Sequence, residues 1–151
     1  MSTSDGPTNP HKDHTADGGL RVFTVLTGLT TLSVLTQAVL AGEFVSQGGK
    51  AGWISAHSYV AVVVMVFALG TAVAGWSSGL RREAPQLWQA AAALFVLTAI
   101  QTGIGHAITD GGTDGLIVVH VPLALVIFGI TVWLSVQSAA LRRARAQPTT
   151  R

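Results

Sequence analysis

Four long apolar runs, at residues 22–43, 54–80, 87–108 and 116–140, are separated by short polar connections. The shortest holds about 22 residues, and at roughly 1.5 Å rise per residue such a helix is roughly 33 Å long, enough to cross the hydrocarbon core of a bilayer. None shows the alternation a barrel strand needs, and only helices and closed barrels satisfy backbone polar groups in lipid. The expected fold is therefore all-α: an integral membrane four-helix bundle. Composition agrees, since 49% of the 151 residues are hydrophobic and 11% charged, whereas roughly a quarter of a soluble domain is charged.

Three segments follow. Residues 1–20 are rich in Gly, Pro, Thr and Asp and are expected as a disordered cytoplasmic tail, with His11 and His14 solvated in it. Residues 21–141 form the transmembrane domain, and 142–151 a basic cytoplasmic tail. The first run is longer than the apolar region of a signal peptide and lacks a clear cleavage site, so it reads as a retained anchor.

Basic residues set the orientation. Arg21 precedes the first run, Arg81 and Arg82 lie between the second and third, and Arg142, Arg143 and Arg145 follow the fourth, whereas loops 45–53 and 109–115 contain only Lys50. The arginine-bearing ends, and hence both termini, are expected in the cytoplasm of a multi-pass cell-membrane protein. The net charge of +2 is thus a topology signal, and no nucleic-acid partner is implied. Trp76 and Trp88 fit an inner aromatic belt and Trp53 an outer one. Thr24, Thr27 and Thr31, the pair Gly70 and Ala74, and the alanines 90–93 supply small or hydroxyl faces through which helices approach in lipid.

The two halves resemble each other. Gln37 precedes His57 by 20 residues and Gln101 precedes His120 by 19, each pair spanning a polar loop, with Ala61 and Ala124 four residues beyond the histidines. This pattern predicts two parallel-repeated helical hairpins related by an axis along the membrane normal. His57 and His120 would then lie at similar depths, near the outer face, on opposite sides of a central cavity.

Four ionisable residues gather at that end: Glu43, His57, His106 and His120. Such groups inside a membrane are costly and mark functional candidates. Two neutral imidazoles on facing helices suit bis-His ligation of a haem b iron, with metal–nitrogen bonds of about 2 Å. Gln37 and Gln101 are expected to face the same cavity. Glu43 and His106 are candidates for a supporting bond to a ligand or for carrying protons, and equally for solvated helix ends. Gln37 and Glu43 are six residues apart, roughly 120° around the helix, so the glutamines are expected to face the bundle and the ionisable residues the loop layer. Met65 lies two turns from His57 and is poorly placed as a ligand. Pro122 frees the carbonyl of Val118 beside His120. With no cysteine in the chain, disulfides, thiolate sites and covalent haem attachment are excluded.

Haem would serve electron transfer, haem handling or sensing, and any enzyme would be a haem-dependent membrane oxidoreductase. Two alternatives stay open: a non-catalytic membrane scaffold or partner subunit with interfacial histidines, and a Cu or Zn site built from His57, His106, His120 and Glu43. The expected partners are the lipid bilayer and either a second copy of the chain or a redox partner in the membrane.

His57 on the second span, His120 on the fourth and Glu43 after the first together resemble one four-helix half of the haem A synthase family. Those proteins join two such halves, each with a His pair on its second and fourth helices at the outer side and a carboxylate near the same loop. The resemblance covers residues 22–140 and implies a haem site at His57 and His120. It also implies that one half is present, so that a homodimer would restore two sites. The chain is similar as well to small bacterial four-helix membrane proteins with a Gln-Ala-Gly/His pattern.

Overall fold

The computed structural model describes residues 10–147, with side chains from residue 18 onward. Expectations for residues 1–9 and 148–151 and for the side chains of His11 and His14 lie outside these. The elements in order are α1 (Pro10–Ser46), α2 (Ala51–Ser77), the single turn α3 (Leu80–Glu83), α4 (Pro85–Gly111), a 3-10 turn (Asp114–Leu116) and α5 (Ile117–Ala146). Among the described residues there are no strands. Residues 10–20, expected as tail, are helical, and the arginines after residue 141 continue α5. Polarity marks where a helix leaves lipid, whereas an established helix adds a hydrogen bond with each further residue.

Local chemistry ends each long helix. Gly48 and Gly49 adopt left-handed φ angles of 66° and 76°, and the Gly49 amide donates to the Phe44 carbonyl at 2.8 Å, closing the end of α1 as only residues tolerant of positive φ readily can. Gly112 does the same for α4 at φ 62°. There Thr113 adds a hydroxyl bond to the Ala107 carbonyl at 2.6 Å. Pro85 opens α4 at a position whose amide would have no helical partner.

The four long helices close a ring in which α1 packs on α2 and α5, and α4 packs on the same two. Neighbours run antiparallel, so the loops at 47–50 and 112–116 share one end of the bundle and α3 lies at the other. Each long helix is long and apolar enough to cross a membrane. Their outward faces carry exposed Leu32, Val39, Val66, Val96, Val118, Leu125 and Val136, an arrangement stable in lipid and one that would aggregate in water. This is the architecture of a multi-pass membrane protein.

Packing is uneven along the bundle axis. The buried side chains run from the middle of the bundle to α3: Leu20, Phe23, Thr27 and Thr30 on α1; Val64, Ala68, Thr71 and Ala74 on α2; Leu87, Ala91, Leu94 and Thr98 on α4; Ile127, Thr131, Leu134 and Ser138 on α5; and Leu80 and Ala84 between them. In the stretches that flank the two loops, residues 31–63 and 99–126, no residue is buried. Small residues explain the tight half. A Cβ on Gly75 would stand 3.1 Å from the Phe23 ring and 3.3 Å from Trp88, and one on Gly19 would collide with Ser78 at 2.5 Å. Close backbone approach is what holds helices together in lipid, where burial of apolar surface provides no net drive.

The buried hydroxyls in this half are satisfied within their own helices. Thr27 donates to the Phe23 carbonyl at 2.7 Å, Thr71 to Phe67 at 2.8 Å and Thr98 to Leu94 at 2.7 Å. One hydroxyl contact crosses between helices, Thr31 to Ser135 at 3.1 Å. At the arginine end, one edge of the Arg145 guanidinium, Nε and Nη2, bonds the Glu83 carboxylate, through Nε at 3.2 Å. Arg81 lies 4.1 Å over the Trp76 ring, which itself meets Trp88 at a tilt of 59° with centroids 5.2 Å apart.

Candidate functional site

The loosely packed half holds Gln37, His57, Gln101 and His120, one on each long helix. Each residue is only half-buried, yet each carries an atom that is fully buried and has no hydrogen-bond partner: Gln37 Oε1, His57 Nδ1, Gln101 Oε1 and His120 Nδ1. More than nine in ten buried polar groups in proteins find partners, and in lipid no solvent relieves those that do not. Four such atoms, contributed by four helices at one end of a bundle, form the chemically unsatisfied region of this fold.

Two pairings are visible. The Gln101 amide donates to the main-chain carbonyl of His120 at 3.0 Å, linking α4 to α5. The His57 ring lies against the main chain of Gln37, linking α2 to α1, and within electrostatic reach of His120. The rings also have shaped walls. Phe44 meets His57 edge-on, with centroids 5.6 Å apart and planes at 72°. Gly105 faces His120, whose Cε1 would be 3.4 Å from a Cβ placed there.

Phe44 was not expected, although a signal exists: it lies seven residues, two helical turns, beyond Gln37 and so shares its face. Gly105 was not singled out either, and its role as a wall for His120 emerges only from packing between α4 and α5.

The other candidates lie apart. Glu43 accepts a bond from Gln47 Nε2 at 2.8 Å, and Lys50 Nζ donates to Gln47 Oε1 at 3.1 Å, so the carboxylate is engaged along its own loop. His106 is exposed and pairs with Asp110 at 3.3 Å, one turn further along α4. Among the described residues no three His, Asp or Glu side chains converge as a metal-holding group. The site is therefore two imidazoles and two carboxamides.

That set offers neutral imidazole nitrogens as ligands or hydrogen-bond partners and amide oxygens as acceptors. Two open surface clefts, of about 220 and 310 Å³, lie at the opposite end of the bundle. Comparison with protein-family models, curated proteins and solved structures found no match for this chain.

Proposed function

We propose that this chain is an integral membrane haem b protein, with His57 and His120 as axial ligands, serving electron transfer, haem handling or sensing. The observation that carries the reading is the set of four buried, partnerless atoms on Gln37, His57, Gln101 and His120. Two of them are imidazole nitrogens on α2 and α5, which stand across the ring from one another, each packing on α1 and α4. The donor set would suit a haem, which the neutral imidazoles of His57 and His120 would hold.

When bound, haem supplies one-electron redox chemistry. The protein's own contribution is to hold the imidazoles: the Gln37 main chain and Phe44 flank His57, while Gly105 leaves room for His120. Gln101, held to the His120 carbonyl, fixes the spacing of α4 and α5.

In the same reading the two hairpins α1–α2 and α4–α5 are parallel repeats. Support comes from the Gln–His association within each hairpin and from the diagonal placement of α1 against α4 and α2 against α5. The arginine end faces the cytoplasm with both termini, and the histidines lie near the outer face. Likeness to one half of a haem A synthase supports the same placement, and pairing of two copies would provide the second half.

The deciding experiment is an absorption spectrum of protein purified from haem-replete cells. A Soret band and low-spin reduced bands are expected, both lost in the His57→Ala, His120→Ala double variant. Full haem occupancy in that variant would sink the reading. A colourless wild-type protein that assembles normally after either single substitution would point instead to a scaffold with interfacial histidines.

A further inference from the structure

Away from the histidines, a cleft of about 220 Å³ opens between α1 around Leu20 and the end of α5, lined by Leu20, Arg21, Arg142, Arg145 and Ala146. We propose that it binds the phosphate of an anionic phospholipid. Three guanidinium groups line one small cleft, and the planar forks of Arg21 and Arg142 each match two oxygens of a phosphate. Arg145 is preset: its side chain is only 20% exposed and is held by Glu83. Arg21 and Arg142 are exposed at its rim.

The position of the cleft favours a lipid over a free anion. It lies where the charged end of the bundle gives way to apolar helix, with Leu20 buried in its floor and Val22 and Val25 exposed on α1 just beyond it. A headgroup phosphate in the cleft would have an apolar surface on which to lay its acyl chains. Basic pockets between helices at a membrane face recognise anionic headgroups in this way. Arg81 and Arg82 occupy α3, outside the cleft, and provide an internal control of equal charge.

Native mass spectrometry of the detergent-purified full chain, titrated with phosphatidylglycerol, phosphatidylcholine or inorganic phosphate, tests the proposal. One phosphatidylglycerol is expected to be retained, and phosphatidylcholine is not. The Arg21→Gln, Arg142→Gln double variant should weaken retention roughly thirtyfold, while Arg81→Gln, Arg82→Gln leaves it close to wild type. Equal weakening in the two doubles would mean diffuse surface charge and overturn the site. Displacement of the lipid by millimolar inorganic phosphate would reveal a free-anion site and overturn the lipid assignment. Should the glutamine pair fail to fold, Arg21→Lys with Arg142→Lys carries the test: several-fold weaker retention supports the cleft, and unchanged retention overturns it.

Discussion

Replacing Gln37 with leucine should make the ligand-free protein more stable. The Gln37 Oε1 is buried without a partner, and an unsatisfied buried acceptor costs about 1–3 kcal/mol. Leucine fills similar space with no polar atom, so the substitution should recover most of that cost. For a chain of this length, each kcal/mol moves the midpoint by roughly 2–4 °C, which predicts a rise on the order of 2–8 °C. Gln101→Leu should gain less, because it also gives up the 3.0 Å bond to the His120 carbonyl, worth about 1 kcal/mol. Thermal unfolding of apo-protein in a mild detergent, followed by circular dichroism, measures both. A drop of several degrees in apo Gln37→Leu would refute the reasoning, because it would show that the amide is already satisfied.

Other substitutions test separate parts of the structure. His57→Ala or His120→Ala alone should convert a low-spin haem spectrum to high-spin or empty protein, read by absorbance at equal protein concentration. Gly75→Ala places a Cβ 3.1 Å from the Phe23 ring and should destabilise by about 1–3 kcal/mol, visible as a lower midpoint in thermal or SDS unfolding. Gly105→Ala meets His120 only at ordinary contact distance and should leave stability nearly unchanged, whereas Gly105→Leu should displace the imidazole and shift the haem spectrum. Glu83→Gln weakens a partly exposed ion pair and should cost no more than about 1 kcal/mol in the same unfolding assay.

The four spans could be read directly from the sequence because a bilayer imposes a length and an apolar composition that few other structures share. Helix ends were less legible, as the extension of α1 to Pro10 and of α5 through Arg145 shows, because charge does not terminate a helix. The location of the core was nearly invisible. In lipid an apolar side chain is equally content facing neighbours or acyl chains, so Val66 and Val118 are exposed while Thr30, Thr71, Thr98 and Thr131 are buried. Size and hydroxyl content carry that information, and Thr24, Thr27 and Thr31 indicated the buried face of α1 only in part. At the candidate site, residue types and spacing picked out Gln37, His57, Gln101 and His120. That each holds a buried atom without a partner depends on packing between four helices, and so do the contacts of Phe44 and Gly105.

The uneven packing along the bundle gives it the mechanics of a clothes-peg. Glycine contacts and interlocked side chains clamp the helices at the arginine end, while at the histidine end they meet through half-buried surfaces with no closed core. Opening free energies in proteins follow local contact density, so the histidine end can part sideways while the clamped end stays shut. A flat, membrane-soluble molecule could then slide in from the bilayer between two helices without unfolding the protein. Amide exchange should report the same gradient, fastest around Gln37 and His120 and slowest around Phe23 and Leu134.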